Sequence, residues 1–122
     1  MNLVLEPESY RSILESLPNG VYVVDRERRI LLWNDGAEQI TGYLRQEVIG
    51  RCCQDDLLMH CDERNTVLCG DGCPLLGTMH DGSPQETEVF LRHKSGESVP
   101  VRERAVPLRD ADGVIVGADR SF

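Results

Sequence analysis

No stretch of this 122-residue chain approaches the roughly 20 consecutive apolar residues that cross a bilayer as a helix. Positive charge is also scarce. Lys and Arg number 13 against 21 Asp and Glu, a net charge of −8, which argues against nucleic acid and against anionic membrane faces as partners. The opening residues MNLVLEPESY lack both the basic start and the long apolar run of a secretory leader, so the expected location is cytoplasmic. The chain has no internal repeat, no low-complexity tract and no glycine-rich phosphate loop. It has no paired carboxylates at useful spacing, and no Ser/His/Asp order with supporting context. It therefore reads as a non-enzyme. What it does have is one domain's length and 40% hydrophobic residues, enough for a core of its own.

Behind Pro7, the apolar residues Tyr10, Ile13, Leu14 and Leu17 recur at spacings of three and four, which predicts an amphipathic helix stopped by Pro18-Asn19-Gly20. VYVVD and RILLWN, joined by a polar turn, predict a β-hairpin over 20–34. Asp35 is the expected N-cap of a helix with Ala37, Ile40 and Thr41 inward and Gly42 at its end, followed by one more helical turn over 45–49. Residues 51–72 have weak periodicity. Cys73-Pro74 opens a short helix carrying Leu75, Leu76 and Met79 and ending at Asp81-Gly82. ETEVFLRH, SVPVRERAVPL and VIVGADRSF then alternate as three strands around turns at 94–97 and 110–113. Pro100 and Pro107 are expected at edge or solvent-side positions. Helix, two strands, short helices and three strands add up to an α+β fold with an antiparallel sheet.

In this order the residues are familiar. GVYVVDRERRILLWNDGAEQITGYLRQEVIG resembles the N-terminal half of PAS domains, through its hairpin, Asn34 after the second strand, Ala37-Glu38, Thr41-Gly42-Tyr43, and Glu47 to Gly50. EVFLRHKSGESVPVRERAVPLRDADGVIVG resembles the last three PAS strands with their K-x-G and D-x-x-G turns. The resemblance covers residues 8–122. It implies a five-stranded antiparallel sheet in the order 2-1-5-4-3, with helices on one face and an N-terminal amphipathic helix. The chain would then be a single PAS domain over 1–122, with the N-terminal helix in 1–19 and the PAS core in 20–122. The implied function is sensory signal transduction within a larger regulatory protein: a histidine kinase, a diguanylate cyclase or a transcriptional activator. An effector domain in cis and a second copy of the chain, joined through the N-terminal helix, are the implied partners. The alternatives are a cofactor-free dimerisation or interaction module and a small-molecule sensor. One departure stands out: Asp119 and Arg120 occupy the stretch where the family usually leads into a signalling coil through a hydrophobic-acidic pattern.

Cys53, Cys61, Cys69 and Cys73 lie within 21 residues, spaced C-x7-C-x7-C-x3-C, with Cys52 beside the first. An odd cysteine count and a reducing compartment argue against a disulfide framework. Three readings stay open: a zinc or iron–sulfur centre on four thiolates, a thiol redox switch, and small buried residues without chemistry. The C-x2-C knuckle is absent. By the resemblance these residues wall the PAS cavity, and some PAS sensors carry a cysteine-held iron–sulfur cluster while others have a Cys-rich segment ending in CPL, as Cys73-Pro74-Leu75 does here. Cys73, ahead of a helix-opening proline, is placed where the helix dipole favours the thiolate.

His60 and His80 could serve as mixed Cys/His ligands or as axial ligands of haem, which some PAS domains bind, but a solvated surface histidine is the commoner case. His93 is expected to be exposed. Gly50-Arg51-Cys52-Cys53-Gln54 resembles the flavin-binding stretch of light-sensing relatives, but Asp55-Asp56 and Cys52 break that pattern and argue against flavin. Trp33 is expected in the core or in a dimer contact. Glu103 shares the apolar face of its strand with Val99, Val101 and Ala105, and it is a candidate buried polar sensor of a ligand.

Overall fold

In the computed structural model, which describes residues 7–52, 60–62, 64 and 74–122, the chain runs through α1 (Pro7–Ser16), β1 (Val21–Asp25), β2 (Ile30–Trp33), α2 (Asp35–Thr41), α3 (Arg45–Val48), α4 (Pro74–Asp81), β3 (Gln85–Arg92), β4 (Ser98–Arg109) and β5 (Ile115–Ser121). The strands form one antiparallel sheet in the order β2-β1-β5-β4-β3, the order that the resemblance implies.

Directly opposed residues in an antiparallel pair share a face. The register therefore builds an inner face of Tyr22 and Val24 from β1, Ala118 and Arg120 from β5, Glu103 and Ala105 from β4, and Val89 and Leu91 from β3. Ile30, Trp33, Ala37, Val48 and Met79 complete the core around Tyr22, Val24, Leu91, Ala105 and Ala118. Burying each large apolar side chain there contributes about 1.5–3 kcal/mol. Trp33 is a core residue: its ring lies 5.4 Å from that of Tyr22, and its indole N–H donates to the Tyr43 carbonyl at 2.9 Å.

The strand β4 is staggered. Residues 98–105 pair with β3, residues 104–109 pair with β5, and among the described residues only Arg104 and Ala105 have partners on both sides. Pro100 and Pro107 both fall where β4 is paired on one side alone. Phe90 turns its own N–H and C=O toward Cys61, with two bonds of 2.9 Å, so the Phe90–Pro100 rung carries no hydrogen bond and the missing N–H of Pro100 faces the open side. Counting along the strand, the missing N–H of Pro107 faces the other open side, past the end of β3. Neither proline costs a ladder bond.

The helices are joined to the sheet through one amide. Asn34, not Asp35, is the N-cap of α2, because its side chain already accepts from Ala37 N–H at 2.9 Å. The same Oδ1 accepts from Val21 N–H at 2.8 Å, while Nδ2 donates to the Leu14 and Asn19 carbonyls, both at 2.9 Å. Asn34 is fully buried. It holds the end of α1, the link to β1 and the start of α2 to each other. Gly42 ends α2 in the left-handed region, φ 79°, as the αL cap expected at that position.

The same four bonds make Asn34 testable. Asn34→Ala leaves buried backbone groups unpaired and should lower stability by about 3 kcal/mol. Asn34→Asp is as good a cap, but it replaces the Nδ2 donor with an acceptor facing two carbonyls. Denaturant unfolding should find the aspartate variant no more stable than the alanine one. A near-wild-type aspartate variant would reduce Asn34 to a cap.

Candidate functional site

Three charged or polar side chains meet on the inner face where a core of this size would ordinarily be apolar. His60, Glu103 and Arg120 are 3%, 1% and 1% exposed. His60 reaches Glu103 Oε1 with Nε2 at 2.7 Å, and the Arg120 guanidinium reaches Glu103 Oε2 at 2.5 Å.

The placement follows from strand alternation. Glu103 and Ala105 point inward from β4, and Arg120 lies opposite both Ala105 and Tyr22. His60 arrives from outside the five strands. Cys61 adds a single bridge to the free edge of β3 at Phe90, which turns the neighbouring His60 to the inner face. The trio thus runs from the edge of β3 across β4 to β5.

Burial pushes the His60 imidazole below its ordinary value. The Glu103 carboxylate opposes that shift and Arg120 reinforces it. One carboxylate and one guanidinium balance with His60 neutral, and a proton on His60 would add an uncompensated charge to a dry core. Thr78 on α4 is also fully buried, and its hydroxyl has no hydrogen-bond partner among the described residues. The helix α4 packs on β3, β4 and β5, so this hydroxyl lies in the layer over the same strands. A groove of about 330 Å³ runs along the β3–β4 pair, lined by Glu88, Val89, Phe90, Pro100, Val101 and Arg102. It flanks the trio rather than containing it. On the outer face Asp119 is half-buried between Val23 and Val106. Burial raises its carboxyl above the ordinary range, against the pull of Arg104.

The expectation of a solvated His60 is corrected: the ring is buried because the Cys61 bridge turns it inward onto Glu103. Glu103 is the buried polar residue that the alternation of β4 pointed to. Arg120 was missed as its partner, although Ala118 and Arg120 alternate with Asp119 and a carboxylate on an apolar face requires a cation. His80 is exposed and His93 half-buried, beside Gly42 and bonded to Ser95. Of the four candidate ligand cysteines, Cys53, Cys69 and Cys73 lie outside the described residues. Cys61 is a half-buried free thiol. Cys52 bridges to Arg29 beside β2, at the opposite edge of the sheet from Cys61. Among the described residues no group of three or more His, Cys, Asp or Glu is placed to hold a metal ion, and no helix is long and apolar enough to cross a membrane.

A staggered antiparallel sheet in the order β2-β1-β5-β4-β3 with helices packed on one face is the architecture of the PAS fold. The PAS fold family profile matches residues 8–118, and the chain belongs to the PAS family. It is 27% identical over 120 residues to the probable diguanylate cyclase DgcE of Escherichia coli K12, covering 95% of this chain but only 10% of that protein. The PAS domain of a protein from Colwellia psychrerythraea superposes with a TM-score of 0.75 at 19% identity, over 93% of this chain and 92% of that one. A domain of a sensory box sensor histidine kinase/response regulator from Geobacter sulfurreducens gives 0.70 at 23% identity, over 93% and 90%.

The buried imidazole has a pH signature. Its folded-state pKa lies below the ordinary 6.5, so on acidification the unfolded chain takes up the proton first. The stability that His60 contributes is complete above about 6.5 and is lost as pH falls toward the folded value, by up to about 1.4 kcal/mol per pH unit. The melting temperature should therefore drop between about pH 7.5 and 5.5, and drop less in His60→Gln, which keeps a donor but cannot titrate. Equal slopes in the two proteins would exclude His60 as the source.

Proposed function

We propose that this PAS domain is the input module of a larger regulatory protein, with an output domain in cis, and that it detects a small polar ligand held between α4 and the inner face of the sheet. The observation that carries this reading is the polar interior itself. A buried ion pair is weak evidence for stability, since apolar residues of similar volume commonly do as well or better. An interior kept polar at that cost suits recognition. The Thr78 hydroxyl supports it: it is buried and has no hydrogen-bond partner among the described residues, and such a group calls for a ligand or a water. The likeness to DgcE favours a cyclase as the output, and the chain spans only a tenth of that relative.

A metabolite screen by thermal shift tests the reading, run on protein prepared without oxygen and assayed for metal. The expected result is a hydrogen-bonding metabolite that raises the melting temperature of the wild type but not of Thr78→Val or Glu103→Gln. A screen without any shift would sink the ligand reading. Stoichiometric metal would instead favour the centre on Cys53, Cys61, Cys69 and Cys73, a redox version of the same module supported by four thiols lying within 21 residues of sequence.

The module works as a homodimer joined through α1. This second reading is favoured by the helix's apolar stripe, where Tyr10, Ile13 and Leu17 are 56%, 49% and 37% exposed and no residue is buried. Sedimentation should give a dimer for the wild type and a monomer for Ile13→Asp, with the circular dichroism spectrum unchanged because the side chain is exposed within a single copy. A wild type that is monomeric at every concentration would rule this out.

A further inference from the structure

The outer face of the sheet holds a charge that the rest of the chain leaves unanswered. Leu32 on β2, Val23 on β1, Asp119 on β5 and Val106 on β4 oppose one another in turn, so they form one row across four strands on that face. All four are half-buried. Leu108, two residues along β4, extends the same apolar surface. The Asp119 carboxyl makes no hydrogen bond or ion pair among the described residues. The nearest cation, Arg104, lies one row away opposite Ser121, and its pull does not offset the burial of the acid. A second surface is also unanswered. The helix α1 packs on α2 with Tyr10, Ile13 and Leu17 turned to solvent. Arg11 borders that stripe, about 60° around the helix from Leu14. Among the described residues its guanidinium meets only Glu15, through Nε at 2.9 Å, which leaves the N–H groups of both outer nitrogens unused.

We propose that the outer face of one copy seats α1 of a second copy, with the second copy's Arg11 on the Asp119 carboxylate. The seat rests on the dimer through α1 and names the surface on which that helix docks. Each of the two surfaces is apolar with one charged group set in it, and the charges are opposite. A helix of ten residues is about 15 Å long, and a row of four strands is about 14 Å across. The contact is reciprocal, so two helices cover two sheet faces about one two-fold axis. Docking then excludes water from Asp119 as it supplies a guanidinium, the donor whose fork fits a carboxylate best. The carboxylate thereby selects a helix that carries a cation at the border of its stripe over one that is merely apolar. A charge kept on an open sheet face only to hold other strands off would serve equally well as lysine, and this difference can be measured.

Sedimentation equilibrium of the 122-residue chain with single and paired substitutions is the test. Asp119→Lys and Arg11→Glu should each weaken the dimer about tenfold, and the two together should bring it back to within about threefold of wild type. General repulsion does not imitate this pattern. Asp119→Lys takes a negative charge from a chain of net −8 and adds a positive one, which alone would favour association, and the paired variant has the net charge of the wild type. A dimer that Ile13→Asp breaks but Asp119→Lys leaves intact overturns the seat while the dimer through α1 stands. A paired variant no tighter than the weaker single one overturns it as well, and a wild type monomeric at every concentration removes both. Should Asp119→Lys fail to fold, Asp119→Asn carries the test. It should weaken the dimer about threefold in the wild-type background and leave it unchanged in Arg11→Ala, and an equal effect in both backgrounds overturns the proposal.

Discussion

A carboxylate that water cannot reach must be neutralised and hydrogen-bonded by its own protein, and Glu103 makes that demand in the middle of the sheet. Oε1 is hydrogen-bonded to His60 and Oε2 is ion-paired with Arg120, each a residue from a different part of the chain. Removing one partner of such a group costs about 3–5 kcal/mol, a large share of the roughly 5–15 kcal/mol by which a folded domain is stable. The requirement therefore fixes more than one side chain. It sets the inward register of β5 through Arg120 and the docking of residues 60–62 on the β3 edge through His60. It also places an imidazole where burial lowers its pKa.

Much of this fold could be read from the residues. The alternation of Val89 and Leu91, of Glu103 and Ala105, and the turns at 94–97 and 110–113 all report local chemistry, and local chemistry decides strands and turns. Asp35 was misread as a cap for the same local reason, since Asp and Asn both cap well. What selected Asn34 was its need to donate as well as accept, to carbonyls 15 and 20 residues away. The site was half legible. Glu103 is conspicuous on an apolar face. Its partners are 43 residues before it and 17 after it in the chain, and only strand pairing brings them together. His60 was invisible because its burial depends on a single bridge from Cys61 to Phe90, which no periodicity announces.

Fold and function separate cleanly in this chain. The PAS architecture supplies a sheet with one covered face, and many proteins share it. The chemistry on that face is an imidazole whose pKa burial lowers, an ion pair, and a hydroxyl without a hydrogen-bond partner among the described residues. The helix α1 contributes nothing to the core yet is tied to it by the amide of Asn34, so whatever rests on that helix is held in fixed relation to the start of β1.

The two prolines of β4 have a consequence for neighbours. An open strand edge offers donors and acceptors to any other strand that passes. Among the described residues β4 has two open stretches, because β3 and β5 overlap it at only two residues. Each open stretch has a proline whose missing N–H falls on the open side. A passing strand would find a gap in the row of donors at each, so the stagger can persist without inviting strand addition. In a polypeptide that places several similar sheets one after another, that would keep adjacent domains from zipping into each other while they fold.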